Sequence, residues 1–231
     1  MTNLPDATWT EVERAPRRAL VVPLGSLEQH GPHLPLDTDT RIAVAVAVGA
    51  AAQLSGVGVA PALAFGASGE HAAFPGTVSI GTPALADVLV ELGRDASRHW
   101  GALLLVNAHG GNQDAVSAAL RRLDGEGKRC AAFAATPRGG DAHAGRAETS
   151  ILLHLDPAVV HLGLAEAGET RPLAELIDRL RRDGVRPVSP NGVLGDPRGA
   201  SAEEGRRLLV ELTGRCAAVL DALLDRVAAH A

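Results

Sequence analysis

Aromatic side chains are almost missing from this sequence of 231 residues: they make up 2% of it, and tyrosine does not occur. Hydrophobic residues nonetheless reach 46%. The core must therefore be built from Ala, Val and Leu, which suits helices packed closely on a sheet. Because the length is ample for one sizeable core, we expect a single α/β domain over residues 1–231.

Cysteine and basic charge are also scarce. Cys130 and Cys216 lie far apart with no metal-binding spacing, so we expect reduced thiols in a cytoplasmic protein. The 22 basic residues against 27 acidic ones give a net charge of −5, which excludes a basic face for nucleic acid. The first residues lack the pattern of a signal peptide, and the apolar run 42–54 is too short to span a bilayer. We therefore expect neither a nucleic-acid partner nor a membrane partner.

Strand-like and helical stretches alternate along the chain. Apolar or β-branched runs predict strands at residues 19–24, 57–65, 77–80, 102–106 and 129–135. Helical patterns and cap signals predict helices at residues 40–54, 82–99, 113–125, 148–155, 173–182 and 201–228. This alternation predicts a doubly wound, mostly parallel α/β sheet. In such sheets functional sites lie at the carboxyl ends of the strands.

The run from Gly25 to Asp39 follows the first predicted strand and concentrates side chains that bind metals. Its five candidate ligands are Glu28, His30, His33, Asp37 and Asp39. Carboxylates and imidazoles together suit hard or borderline divalent cations. Glu28 and His30 are two residues apart, which places them on one side of an extended segment, and Asp39 could bridge two cations. The alternative is a polar loop in which these acids are incidental.

Two later stretches carry matching chemistry. His109 lies in Asn107–Asn112, where small residues let the backbone approach a substrate and Asn side chains can orient the imidazole. His143 and Glu148 are five residues apart across a glycine. A turn with a capping Asn would also explain the first stretch, and a solvated helix start would explain the second. We expect all three stretches to converge on a two-metal hydrolytic centre.

The remaining candidates have weaker signals. Glu70 and His71 precede Phe74–Thr77, and we interpret them as a rigid loop at the mouth of a cavity. The roles of His33, Asp37 and His71 stay open. We expect the other histidines at the surface or at helix ends, namely His99, His154, His161 and His230. No phosphate loop, nucleotide fingerprint or serine nucleophile elbow occurs, which argues against a serine hydrolase.

Four motifs, in this order, resemble those of the creatininase family of metal-dependent amidohydrolases. They are Leu24–Gly31 with the later Asp39, Phe74–Thr77, Asn107–Asn112 and Glu148–Ser150. The resemblance implies a three-layer α/β/α fold with a mostly parallel sheet, usually assembled as a homohexamer or another homo-oligomer. It also implies two divalent metal ions per chain, and this mixed nitrogen and oxygen donor set suits Zn, Fe(II) or Mn.

The same resemblance implies roles for individual residues. Glu28, Asp39 and His109 would hold one metal, and His30, Asp39 and Glu148 would hold the other, so that Asp39 bridges. A water or hydroxide between the metals would attack an amide carbonyl. His143 would be catalytic, either in proton transfer or in stabilising the tetrahedral oxyanion.

One position departs from the family pattern. Creatininases carry a glutamate where this chain has Gly111, so we do not expect hydrolysis of the creatinine ring. The segment Ser189–Pro197 resembles a peptidase branch of the family. This implies a metal-dependent peptidase that trims the C-terminal dipeptide from a modified precursor peptide. The alternatives are an amidohydrolase acting on a small formamide or lactam, and an inactive family member serving as a scaffold.

Overall fold

A parallel β-sheet runs through the centre of the protein. The structure is a computed structural model that describes residues 1–228. In this part of the chain the sheet has five strands in the order β1-β3-β2-β4-β5, all neighbours being parallel. Their bounds are Thr2–Asn3 (β1), Ala19–Leu24 (β2), Val57–Val59 (β3), Leu103–Asn107 (β4) and Cys130–Ala134 (β5).

Helices cover both faces of the sheet and complete three α/β/α layers. The described helices are Trp9–Arg14 (α1), Thr38–Ala51 (α2), Thr82–Ala96 (α3), Gln113–Gly125 (α4), Arg146–Leu155 (α5), Leu173–Asp183 (α6) and Ala202–Ala228 (α7). One core cluster joins α2, α5 and α7 to the sheet face that carries Val21 and Leu104. A second cluster joins α3 and α4 to the opposite face, which carries Leu20 and Leu103. This architecture confirms the predicted fold class.

Small residues let the helices on one face of the sheet pack closely, as the lack of aromatic residues predicts. All six residues of β2 are buried, as expected for a parallel strand covered on both faces. Gly49 of α2 lies so close to Thr213 of α7 that an added Cβ would stand 2.8 Å from the Thr213 methyl group. The low side-chain volume therefore serves close helix packing.

Most predicted elements lie within a few residues of their expected bounds, but one predicted strand is too long and another is wrong. The strand expected at 57–65 ends at Val59, because Pro61 cannot donate a ladder hydrogen bond. The stretch 77–80 forms no strand: Val78 makes only an isolated bridge to Leu27. The elements β1 and α1 were not expected, since a two-residue strand and a six-residue helix leave little pattern in a sequence.

The segment between α5 and α7, here called the excursion, contains α6 and has a small core of its own. The apolar side chains of α6 and of the following turn pack together around Leu176, Leu180 and Val185. The turn also joins the loop after β3, since Val185 N donates to the carbonyl of Glu70 at 2.8 Å. Helix α6 therefore supports the Gly69–His71 turn from outside the main sheet.

Two further expectations concerned membrane-spanning segments and the exposure of the remaining histidines. None of the helices in this part of the chain is long and apolar enough to cross a membrane. His99, His154 and His161 are exposed, as expected. His230 lies outside the described residues.

Candidate metal centre

The loop after β2 carries its functional side chains into the protein interior. Glu28 and His30 are fully buried, and Asp39, in the first turn of α2, is 2% exposed. The loop is fixed by main-chain contacts, including the bond from Glu28 N to Leu36 O at 3.1 Å. Asn107 ends β4, the strand next to β2, so the following loop brings His109 to the same edge of the sheet. The site thus lies where parallel α/β sheets place their sites, beyond the carboxyl ends of adjacent strands.

One group of side chains consists of Glu28, Asp39 and His109. One ligand atom from each lies within 4.8 Å of the other two. His109 Nε2 stands 3.1 Å from Glu28 Oε2, and its Nδ1 stands 3.4 Å from Asp39 Oδ2. The structure therefore brings together the first of the two sets that the sequence motifs predict.

A second group consists of His30, His143 and Glu148, again with ligand atoms within 4.8 Å of one another. Asp39 adjoins this group as well, because His30 Nε2 lies 3.2 Å from Asp39 Oδ1. The two oxygens of Asp39 thus face different histidines, Oδ1 towards His30 and Oδ2 towards His109. Ser26 Oγ donates a 2.5 Å hydrogen bond to Oδ2 and fixes this orientation.

His71 belongs to the cluster, which the sequence interpretation missed. The side chain is buried rather than at a cavity mouth, with Nε2 3.4 Å from Glu28 Oε1. It forms a third group with Glu28 and His143. The amide Nε2 of Gln29 lies 2.9 Å from His71 Nδ1 and 3.0 Å from His143 Nε2. The one sequence signal for this position was that His71 follows Glu70 and precedes the turn at Pro75-Gly76.

His33 and Asp37, whose roles were left open, lie outside these groups. His33 is buried and its Nε2 donates to Thr149 Oγ1 at 2.9 Å, because that hydroxyl already donates to Gly145 O. Asp37 is exposed at the rim and pairs with Arg41 at 2.8 Å. His33 therefore supports α5 behind the centre.

The histidines of the cluster divide into two kinds. Burial would lower the pKa of His30 and His109, but the neighbouring carboxylates, chiefly Asp39 and Glu28 respectively, raise these pKa values to about 10 and about 9. Burial lowers the pKa of His71 to about 3, and burial, together with the charge of His30, also lowers the pKa of His143. Cationic charge is thus concentrated beside the carboxylates.

The carboxylates respond in opposite directions. Burial would raise the pKa of Asp39 and Glu28, yet His30 and His109 respectively hold both pKa values below their usual range. Burial raises the pKa of Glu148 to about 7, despite the nearby His30. The buried carboxylates of Glu28 and Asp39 are thus balanced here by His30 and His109, and divalent cations can supply the same positive charge.

Glu28 tests whether the residues fit a metal. Both of its carboxylate oxygens are buried and accept no well-aligned hydrogen bond, although His109 and His71 stand within 3.4 Å. A buried carboxylate without hydrogen bonds is costly unless a cation is coordinated. The donor set of imidazole nitrogens and carboxylate oxygens is also one that binds Zn, Fe or Mn. The residues fit divalent metal ions.

A cavity of about 400 Å³ opens beside this cluster. Asp39, His109, His143 and Glu148 contribute to its lining. Two loops form other parts of its wall, one around Asp141 and the other from Glu169 to Leu173. A substrate of several residues could thus reach the candidate metal-binding side chains.

The family profile described as "Creatininase: Creatinine amidohydrolase" matches residues 5–220. This chain belongs to the creatininase family. It is 52% identical over 203 residues to the mycofactocin precursor peptide peptidase of Mycolicibacterium smegmatis, and 51% identical over 206 residues to that of Mycobacterium ulcerans. Each match covers 86% of this chain and 82% of the relative.

Solved creatininase structures agree with the fold. A structure titled "Creatininase Mn" has a TM-score of 0.76 at 26% identity, covering 98% of both chains. A mutant creatininase of the Zn-Zn type has a TM-score of 0.75 at 27% identity, covering 97% of this chain and 98% of that one. Family members therefore bind metals, and this chain has candidate metal-binding groups.

Proposed function

We propose that this protein is a metal-dependent peptidase that removes the C-terminal dipeptide from a modified precursor peptide in mycofactocin biosynthesis. One observation carries the proposal: relatives just over 50% identical across 86% of the chain have this peptidase name. The geometry supports it, since all six site residues expected from the sequence lie in one cluster beside a cavity.

The proposed centre holds two divalent ions, with Zn, Fe(II) and Mn all suited to the donors. Glu28, Asp39 and His109 would hold one ion, and His30, Asp39 and Glu148 the other. When bound, such ions lower the pKa of a coordinated water and polarise the scissile carbonyl. The split orientation of the Asp39 oxygens, fixed by Ser26, suits a bridging ligand.

His143 is proposed as the group that handles the proton. Its Nε2 donates to the main-chain carbonyl of Gln29 at 2.8 Å. Nδ1 is therefore the nitrogen with a free lone pair, and it lies 3.7 Å from Glu28 Oε1. Because His143 also lines the cavity, Nδ1 can accept a proton there and return it to the leaving amine.

The segment Ser189–Pro197 holds His143 in place. The main chains of His143 and Leu194 form an antiparallel bridge, with bonds of 3.1 and 2.9 Å. Gly192 O accepts a 3.0 Å bond from the Gln29 side chain. The segment that carries the resemblance to the peptidase branch thus contacts the proposed proton carrier directly.

Position 111 favours a peptide over a creatinine ring. Gly111 has no side chain to act as an acid or base in ring opening. The cavity beside the cluster is also larger than one small flat ring needs, and the wall contains no aromatic side chain to clamp such a ring.

We further propose a homo-oligomer, a homohexamer by analogy with the family, in the cytoplasm. Phe65, Val78 and Ile80 are 48%, 48% and 39% exposed on neighbouring loops, and such apolar surface is typical of an interface. Cys130 and Cys216 are unpaired among the described residues, which suits a reducing compartment.

The test is a comparison of substrates with metal-loaded protein. We expect mass spectrometry to detect a dipeptide released from the modified precursor, with creatinine left intact. Chelator-treated protein is the control and should release nothing. Rapid hydrolysis of creatinine with an intact peptide would contradict the proposal, and metal-loaded protein inert towards both would favour the scaffold alternative.

A further inference from the structure

The geometry points to Glu70 as a positioning residue for His109, a role that the family motifs do not give it. Its carboxylate Oε1 lies 3.6 Å from His109 Nε2, which is within ion-pair distance. Glu70 does not contribute to the lining of the 400 Å³ cavity, whereas His109 does. Glu70 is therefore not placed to contact a substrate in that cavity, and it acts through the imidazole.

The loop Ala67–Glu70 surrounds one nitrogen of His109 with acceptors. The carbonyl of Ala67 lies 3.2 Å from Nε2, and the hydroxyl of Ser68 lies 3.3 Å from it. With the Glu70 carboxylate, this loop offers three oxygens to Nε2, which also stands 3.1 Å from Glu28 Oε2 on the metal-binding side. A histidine that ligates a metal commonly donates its other N–H to a carbonyl or carboxylate, which fixes the tautomer and raises the basicity of the ligating nitrogen. Nδ1, which faces Asp39, is then the nitrogen that keeps its lone pair.

Gly111 leaves the space that Glu70 uses. A Cβ added at position 111 would stand 2.4 Å from Glu70 Oε1, 2.4 Å from Ala67 O and 2.5 Å from His109 Nε2. Any side chain there would displace the carboxylate or the loop. The glycine that departs from the creatininase pattern is thus what allows a carboxylate from another loop to approach His109.

The excursion after α5 holds Glu70 in place. Val185 N donates to the Glu70 carbonyl at 2.8 Å, and Val185 is buried against Leu176 and Leu180 of α6. Gly184 has a φ of +78°, and a Cβ there would lie 2.9 Å from the Glu70 carbonyl. The backbone of Glu70 is therefore anchored independently of its carboxylate, so the side chain can be changed without releasing the turn.

The inference rests on the proposed function, because it treats His109 as a metal ligand. Zn²⁺ affinity, measured by competition with a chromophoric chelator, tests it without any peptide. Glu70→Gln keeps the shape and removes the charge, and we expect it to weaken Zn²⁺ binding by about 10–100-fold, as for other residues that orient metal ligands. Glu70→Asp, which keeps a carboxylate, should lose less.

Glu126→Gln is the matched control, since Glu126 is 31% exposed against 30% for Glu70 and pairs with Arg94 far from the centre. It should bind Zn²⁺ as the wild type does. Unchanged affinity in Glu70→Gln would overturn the inference. So would equal losses in Glu70→Gln and Glu70→Asp accompanied by a lower melting temperature, because that pattern indicates a purely structural role. The variants could instead show the expected Zn²⁺ affinities, with Glu70→Gln the weakest, while the metal-loaded wild type releases no dipeptide. That result would contradict the proposed function alone.

Discussion

Asp39 is the residue on which the two halves of the cluster depend. Its oxygens face His30 at 3.2 Å and His109 at 3.4 Å. A bridging carboxylate would bind both cations. Asp39→Ala should therefore remove both metals and reduce turnover more than the loss of a ligand that contacts only one metal. We expect the loss to exceed the about 10²–10⁴-fold typical of a proton-transfer group.

Metal analysis and dipeptide release together check this prediction. Asp37→Ala is the matched control, because Asp37 lies two residues away but is 43% exposed and pairs with Arg41. Asp37→Ala should keep the metal content and the dipeptide release of the wild type. If Asp39→Ala retained two metals per chain and near-normal turnover, the bridging role would be wrong.

His143 separates proton transfer from metal binding. Its Nδ1 keeps a free lone pair beside the cavity, so His143→Ala should retain metal and lose turnover by about 10²–10⁴-fold. The exposed His154 provides a control, since His154→Ala should change neither quantity. His143 also lies within 4.8 Å of His30 and Glu148 at its ligand atoms. A parallel loss of metal and activity would therefore reassign it as a ligand.

His33 predicts a pH dependence of stability. Burial, and secondarily the charge of His30, lowers its pKa from 6.5 to about 4. Between these values the unfolded chain takes up a proton that the folded protein does not, so stability falls as the pH falls from about 6.5 to 4. The contribution of His33 is at most about 3 kcal/mol.

The measurement is the free energy of unfolding of metal-free protein in denaturant at several pH values. Wild type should lose more stability than His33→Asn over this range, because the variant has no group that titrates at position 33. Equal pH slopes for the two proteins would show that folding does not lower the pKa of His33.

At the scale of the elements, periodicity and caps predicted the sheet and most helices. The bounds of β2 and α4 agree with the structure, since a continuous apolar run and a sharp helix start leave strong signals. The motifs after β2 and β4 meet because these two strands are adjacent and parallel; strand alternation predicts parallel strands but not which of them are neighbours. The roles of Glu28, His30, Asp39, His109, His143 and Glu148 stay predictions.

His71 and Glu70 could not be placed from the sequence for a physical reason. Their positions depend on a contact between the Gly69–His71 turn and Val185, more than a hundred residues later. No local pattern encodes such a contact. The start of α7 shows a similar tertiary effect: Ser201 Oγ accepts from Glu204 N, but the Glu204 carboxylate pairs with Arg146 instead of completing a capping box.

The small core of α6 gives a prediction at this scale. Leu176 is 1% exposed and packs with Val185, so Leu176→Ala should destabilise the protein by about 2–5 kcal/mol through transfer and cavity effects. It should also weaken Zn²⁺ binding, because the Gly69–His71 turn loses its support. Leu173→Ala, in the same helix but 44% exposed, is the control for both measurements. Full stability in Leu176→Ala would contradict the packing account.

At the scale of the whole molecule, one edge of a parallel sheet collects the loops that supply the donor set. A parallel hydrogen-bond ladder holds β2 and β4 together, and the segment through α6 supports the Gly69–His71 turn. The cluster holds the buried carboxylates of Glu28 and Asp39, and the Glu28 carboxylate accepts no hydrogen bond, which suits the proposed divalent cations. The account therefore makes metal the condition for activity.

The most direct test is a titration of chelator-treated protein with Zn²⁺, Mn²⁺ or Fe(II) while dipeptide release from the modified precursor is followed. The account predicts no release without metal and a maximum at two equivalents per chain for at least one of these ions. Full activity in the presence of excess chelator, or a maximum at one equivalent with every ion, would contradict the two-metal peptidase.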